Sequence, residues 1–281
     1  MVKEKQMAYQ NFIPTVWAES INRDLERETV FVDDTNRQYE GDVKQKGDSV
    51  RILGVGKPTI TTQIGKKIKL GEAEEVADQS ITLNINQVAY FNYRVDDIDK
   101  RQALGGVMEA LSKETSEGLA NEMDKFIANM SLNKQAVVFN SAATTITKDN
   151  ILETIDSMLV KLLENDVKRN ANITLTLPPK HVMLLKQAYT HLDTDNSAML
   201  KNGVVGRYNG ITIKESNNCA KDSSGNYMVQ LKTNRAIAFV NPMTHIEPYR
   251  PQELFSDAVK GFILYDGIIA RPKELIVGKW V

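Results

Sequence analysis

The chain has 281 residues, 42% of them hydrophobic, which is enough to bury real cores in one large domain or in two to three modules. Lysine and arginine total 35 against 36 acidic residues, a formal charge of −1, so no whole-chain basic field is available to wrap nucleic acid. The single cysteine, Cys219, excludes an intramolecular disulfide and a cysteine-based zinc cluster, and no run approaches the ~20 apolar residues of a membrane span; a soluble protein of a reducing cytoplasm is expected.

Residues 1–40 read as an arm rather than a core. In "NFIPTVWAESINRDLERETVFVDD", Trp17, Ile21 and Leu25 fall on one face of a short helix. One narrow apolar stripe cannot fold alone, so this helix needs another surface, in the same chain or a neighbour.

Residues 41–95 change to strand patterns. "GDSVRIL" starts one strand. "SITLNINQ" alternates strictly, Ile81, Leu83 and Ile85 against Thr82, Asn84 and Asn86, which predicts a half-buried antiparallel strand that "AYFNYRV" continues. Between them lies "QIGKKIKLGEAEEVADQ", with Lys66, Lys67 and Lys69 followed by Glu72, Glu74, Glu75 and Asp78. A charge-sorted, core-free loop on a long hairpin is either solvated or held by a partner.

The longest regular signal covers residues 96–132. Asp96 and Asp97 are placed to cap a helix whose apolar positions run Leu104, Val107, Met108, Leu111, Leu119, Met123, Phe126, Ile127 and Met130, with Glu109 and Lys113 as an i,i+4 pair. Roughly 30 residues would make a rod about 45 Å long, with Gly105 and Gly106 as the place to bend.

Residues 133–240 interleave helix and strand, which predicts a compact α/β module. "TITKDNILETIDSMLVKLLENDVK" gives an amphipathic helix capped by Thr147, burying Ile151, Leu152, Ile155, Met158, Leu159, Leu162 and Leu163. In "NITLTLPPKHVMLLKQAY" a strand is broken by Pro178-Pro179, the second proline entering the first turn of a helix. Gly203, Gly206 and Gly210 precede the strand "ITIKES"; this order, loop then strand, is the reverse of a phosphate cradle and reads as a turn feeding an edge strand. Asp222 to Gly225 make a further turn before "AIAFV". In residues 241–281, Pro248, Pro251 and Pro272 rule out an unbroken helix, while "FILYDGIIA" reads as a strand pair or one long bent strand.

Candidate chemistry is sparse. Of the three histidines, His181, His191 and His245, only His191 has carboxylates near it in sequence, Asp193 and Asp195; this set could hold a hard metal ion for a hydrolase, or be a polar loop. Nothing positions a base beside Cys219, so it reads as an ordinary thiol. No catalytic residue, cofactor site or metal site is expected.

The order of these parts resembles the major capsid proteins of tailed bacteriophages with the HK97 fold. The resemblance is carried by "FIPTVWAESINRDLER" with "DDTNRQYEGDVKQKGDSVRI", by "ITLTLPPKHVMLLKQA", by "GVVGRYNGITIKESNN" and by "AIAFVNPMTHIEPYRPQELFSDAVKGFILYDGIIARP", in that order over nearly the whole chain. It implies an α+β fold with an N-arm (1–40), an E-loop with flanking strands (41–95), a P-domain spine helix (96–132), an A-domain (133–240) and return strands of the P-domain (241–281).

The same resemblance implies a non-enzymatic structural subunit of the virion, assembled in the host cytoplasm. Its copies would form hexamers and pentamers of an icosahedral shell that encloses double-stranded DNA without sequence-specific binding or any membrane. A portal protein and, since the arm starts almost at once, a separate scaffolding protein are implied partners. Trp17, Ile21, Leu25, Lys66, Lys67, Lys69, Glu72, Glu74 and Glu75 become candidate subunit contacts, each surface ion pair worth ~0 to 1 kcal/mol but repeated around a closed shell. An encapsulin-like nanocompartment that loads protein is the alternative within the same fold.

Overall fold

The computed structural model describes residues 29–39, 49–55, 78–96, 107–188, 204–249 and 256–281. They form a mixed α+β body with three sheets.

The first sheet is a two-stranded ribbon, β1 (Ser49–Val55) antiparallel to β2 (Asp78–Asn84). The predicted alternation holds: Leu83 and Ile85 are buried and Ile81 half-buried, while Thr82, Asn84 and Asn86 face solvent. With Val50 and Ile52 of β1 they pack on Ala238, Val240 and Leu264 of the next sheet.

That second sheet has the order β3 (Gln87–Asp96), β10 (Ser256–Ile269), β9 (Ile237–Tyr249), all antiparallel. "FILYDGIIA" is therefore the C-terminal part of one long central strand, which ends at Ile269. Its register against β9 shifts between Leu264 and Asp266, where two residues of β9, Asn241 and Pro242, stand opposite the single Tyr265. A proline fits there because an edge strand at a bulge has no ladder bond to lose. The other face of this sheet packs on helix α1 (Val107–Asn129), with Phe239, Ile263, Tyr265 and Ile269 meeting Leu119, Met123 and Ile127.

The long helix is 23 residues, about 35 Å, and ends in a 3₁₀ turn at Met130–Leu132. Its buried stripe is the predicted one from Leu119 onward. Asp96, expected as a cap, is instead the last residue of β3, paired with Ser256, and an extended ladder position is not a helix cap. Asp97, Leu104, Gly105 and Gly106 lie outside the described residues, as do the side chains of Val107, Met108 and Glu109; Lys113 lies 3.9 Å from Glu117.

The third sheet has six strands in the order β4 (Val137–Val138), β11 (Leu275–Trp280), β8 (Tyr227–Thr233), β5 (Ile173–Leu177), β7 (Ile211–Glu215), β6 (Val204–Tyr208). Pairs β4/β11 and β5/β7 are parallel, the rest antiparallel. Two sequence expectations shift here. The boundary at 240/241 falls inside β9, and residues 241–281 divide between two sheets, because β11 leaves the three-stranded sheet to pair with β8. "ITIKE" is not an edge strand: β6 lies outside it, joined by an Asn209-Gly210 turn with φ of 47° and 82°. Positive φ at both residues is what a two-residue hairpin needs, and Asn-Gly supplies it.

Helices α2 (Ile151–Glu164) and α3 (Pro179–Ala188) cover one face of this sheet, where Ile173, Leu175, Ile211, Ile213, Val229, Leu231, Ile276 and Trp280 meet Ile155, Met158, Leu159, Leu162, Val182 and Leu185. Pro179 opens α3 as expected, with the Pro178 carbonyl accepting from the His181 and Val182 N–H groups. Thr147 does not cap α2. Its carbonyl accepts from Ile151 and its N–H donates to Asn150 Oδ1 at 2.8 Å, so a separate turn precedes the helix and Asn150 occupies the cap position.

Candidate functional site: the charged root of the N-terminal segment

The opposite face of the six-stranded sheet is polar and nevertheless buried. Strand register puts Thr176, Lys214 and Gln230 in one row and Thr174, Thr212 and Lys232 in the next, all on one side. Burying such groups is costly unless each finds a partner. The lysines and the Gln230 amide nitrogen find theirs on α1 and residues 29–36, while Thr176 Oγ1 and Gln230 Oε1 have no hydrogen-bond partner among the described residues.

Gln230 Nε2 donates to the carbonyls of Ile127 and Ala128 at 3.1 and 3.0 Å, which satisfies two of the carbonyls left open at the end of α1. Phe31 and Val32 insert into the core between sheet and helix, and Val32–Asp34 make a single 3₁₀ turn. Asp124 of α1 holds the N–H groups at the start of this turn: Oδ2 accepts from Val30 at 2.7 Å, and Oδ1 accepts from Phe31 and Val32 at 3.0 and 3.1 Å. Lys232 Nζ donates to the carbonyls of Phe31 and Asp34 at 3.2 and 3.0 Å. Lys214 Nζ reaches Asp33 Oδ2 at 2.8 Å and Asp34 Oδ2 at 3.0 Å. Asn36 then bridges to β9, its N–H donating to the Ile237 carbonyl and its own carbonyl accepting from Phe239.

The electrostatics follow from burial. Loss of water pushes the Lys232 ammonium down to about 8, opposed by Asp34 and Asp124. Burial would lower Lys214 as well, but Asp34 and Asp33 beside it outweigh that and raise it. Burial raises Asp124, opposed by the three backbone N–H groups and by Lys232. Every ionic group here is engaged by backbone or by another charge, and Lys232 is fully buried. The arrangement is suited to fixing a chain segment and not to turning over a substrate.

A second buried carboxylate does the same for the ribbon. Asp266 of β10, opposite the β9 bulge, accepts from the Asn86 N–H at 2.9 Å through Oδ2 and from the Gly267 N–H at 2.8 Å through Oδ1. The turn from β2 into β3 is thereby tied to the central strand of the neighbouring sheet.

The candidates read from the sequence lie elsewhere. Trp17, Ile21, Leu25, Lys66, Lys67, Lys69, Glu72, Glu74 and Glu75 are outside the described residues, as are His191, Asp193 and Asp195. Among the described residues no three His, Cys, Asp or Glu side chains gather into a metal-binding group. Cys219 is buried, its thiol pushed up to about 12 by burial, with Sγ 3.3 Å from the Ser216 carbonyl. An open polar cavity of about 470 Å³ is lined by Asp166, Lys168, Asn172, Arg235, Arg271 and Glu274. Asp124, Lys214, Lys232 and Asp266 were not singled out by sequence reading. Their one signal is a charge inside a strand or helix pattern, which is what a solvated face also presents.

No protein-family model and no curated protein matches the sequence. Solved structures do. A structure from Mycobacterium phage Che8 is 28% identical with a TM-score of 0.71, covering 89% of this chain and 91% of that one. The capsid structure of the Cyanophage P-SCSP1u is 15% identical with a TM-score of 0.67, covering 91% and 89%. A virus-like particle from Pyrococcus furiosus is 12% identical with a TM-score of 0.61, covering 95% of this chain and all of that one. The chain is thus similar over most of its length to phage capsid proteins, as the sequence resemblance implied.

Proposed function

We propose that the protein is a major capsid protein, a structural subunit whose copies close into the icosahedral head around double-stranded phage DNA. The observation that carries this is the Che8 likeness, in which 28% identity accompanies nearly complete coverage of both chains. The physical features agree with it. A body with a long helix, two anchored exits and a near-neutral formal charge suits a subunit that must meet many copies of itself and enclose DNA without gripping it.

On this reading residues 1–40 form the arm, 41–95 the extended loop, 96–132 the spine, 133–240 the axial domain and 241–281 the return, with β11 closing the axial sheet. Hexamers and pentamers, a portal protein, a separate scaffolding protein and assembly in the host cytoplasm belong to the same proposal.

Electron microscopy of the purified protein, alone and co-expressed with a scaffold candidate, tests it. Closed shells of uniform size are expected; small monodisperse monomers under every condition would refute it. The Pyrococcus likeness favours one second reading, a nanocompartment shell of the same fold. Shells that carry a protein cargo and no nucleic acid would select it. The likenesses are to shells, and none of the three structures reported above points to a hydrolase at His191.

A further inference from the structure

The turn that joins β6 to β7 is made by a chemically labile pair, Asn209-Gly210, and both residues are exposed to water. In an Asn-Gly pair the glycine nitrogen is unshielded by a side chain and can attack the asparagine Cγ. A new C–N bond closes a five-membered succinimide, the Cγ–Nδ2 bond breaks, and the amide proton leaves with Nδ2 as ammonia. Water then opens the ring at either carbonyl, giving aspartate or isoaspartate.

The Asn209 side chain is nevertheless held at both ends. Nδ2 donates to Asp156 Oδ1 of α2 at 3.0 Å, Oδ1 accepts from Arg169 Nη2, and the same Nη2 lies 3.5 Å from the Asn209 carbonyl oxygen. Asp156 is fixed in its turn by the Tyr208 hydroxyl, which donates to Oδ2 at 2.8 Å. A single guanidinium nitrogen that reaches both oxygens keeps the side chain on the carbonyl-oxygen side of the Cα–C bond. The Gly210 nitrogen is on the other side, because oxygen and nitrogen point apart across the planar peptide carbon. The ring closes only after that bond rotates, which breaks the turn and the clamp together. Aspartate or glycine would serve the same turn. Neither could replace the amide, which donates to a carboxylate through one end and accepts from a guanidinium through the other.

We propose that Asn209 is a latent deamidation site, kept silent by a clamp of Asp156 and Arg169, and that its modification releases the β6/β7 turn from α2. Reaction passes through local opening of the hairpin end, so each clamp bond that stabilises the closed turn slows it. The products cannot restore the clamp. Aspartate replaces a donor by a second negative charge at the 3.0 Å contact with Asp156. Isoaspartate also lengthens the backbone by a carbon between the paired residues Tyr208 and Ile211. Either change is irreversible and leaves the open turn favoured.

Peptide mass spectrometry of the full-length protein aged at mildly alkaline pH tests this, with a synthetic peptide of residues 207–213 giving the unclamped rate. Wild-type Asn209 should convert at least about tenfold more slowly than the peptide, and Arg169→Gln and Asp156→Ala should each convert about tenfold faster than wild type, the scale of losing one hydrogen bond to a charged group. Arg169 is exposed, so Arg169→Gln leaves the core untouched and decides alone if Asp156→Ala unfolds the hairpin. Amide exchange at Tyr208 and Ile211 should be faster in Asn209→Asp than in Asn209→Gly, which makes the turn with neither clamp nor added charge. Conversion of the wild type at the peptide's rate would overturn the protection. Variants that convert no faster than wild type would show that the turn alone guards the site, and would overturn the clamp. Exchange in Asn209→Asp as slow as in wild type would overturn the release.

Discussion

Replacing Asp124 by alanine removes the acceptor of three backbone N–H groups at once, those of Val30, Phe31 and Val32. Two of these bonds are buried and the third is partly buried, so water cannot replace the carboxylate without opening the joint between α1 and residues 29–36. A hydrogen bond to a charged group is worth about 1.5–3 kcal/mol, but three bonds to one carboxylate are not independent. Removal also leaves the Lys232 ammonium without one of its counter-charges. Breaking a buried ionic cluster by deleting one member costs about 3–5 kcal/mol, and that is the expected loss here. Asp124→Asn keeps one acceptor oxygen but turns an amide NH2 toward a backbone N–H, so about 2–3 kcal/mol is expected, less than for alanine.

Urea unfolding of the unassembled subunit measures both. The midpoint should fall while the slope stays constant, because the same surface is exposed on unfolding. Hydrogen exchange adds the location: the amides of Val30, Phe31 and Val32 should lose protection before those of β5 and β8. A midpoint change equivalent to less than about 1 kcal/mol for Asp124→Ala would show that this carboxylate is not what holds the segment.

Lys232, lowered from 10.5 to about 8 by burial, binds fewer protons in the fold than in the unfolded chain between those values. Stability therefore rises as pH climbs from 8 toward 10.5, by up to about 3 kcal/mol from this group, and the pH slope in that window should be absent in Lys232→Met. His181 is fully buried between Trp280 and Tyr227, at ring centroid distances of 5.3 and 5.6 Å, and burial lowers its pKa below 6.5, opposed by the nearby Val281 backbone and aided by Lys180. The neutral ring is the folded form, so its contribution is present above pH 6.5 and lost as pH falls. His181→Phe should flatten the acid limb of a melting-temperature profile relative to wild type. Asp266→Ala frees the N–H groups of Asn86 and Gly267, should cost about 1–3 kcal/mol in urea unfolding, and should speed exchange at Asn86. Deleting residues 63–77, which spares the described strands β1 and β2, should leave the far-ultraviolet circular dichroism and melting of the body unchanged and abolish shells in electron micrographs; a deletion variant that assembles normally would refute the partner-held loop.

Sequence pattern was informative where one face of an element decides its burial. Ile81, Leu83 and Ile85 alternate with polar residues, and Leu83 and Ile85 are buried and Ile81 half-buried as that alternation requires. Ile155, Met158, Leu159 and Leu162 mark the buried face of α2, and Pro178-Pro179 separates β5 from α3. Pattern failed where burial depends on what arrives from far away in the chain. Lys214 and Lys232 alternate with Ile213 and Leu231 as solvent-facing residues would, and only the return of residues 29–36, nearly 200 positions earlier, covers them. Asp124 likewise reads as the polar side of a helix. The place of β11 in the six-stranded sheet also depends on tertiary pairing, for "LIVGKW" is compatible with either sheet and its partner Val229-Gln230 lies far back in sequence.

The two aspartates that sequence pattern hides act on the same kind of target. Asp124 takes the N–H groups where the chain enters the body from its N-terminal segment, and Asp266 takes the N–H group where the β1/β2 ribbon rejoins it at β3. A carboxylate is well suited to this task, since its two oxygens accept several N–H groups at once and bond more strongly than a neutral carbonyl. Each sits on an element built into the core, α1 in one case and β10 in the other. On the proposed shell reading, under which the arm and the loop would contact neighbouring copies, the consequence is specific. Weakening either carboxylate should alter the regularity of assembly before it unfolds the body.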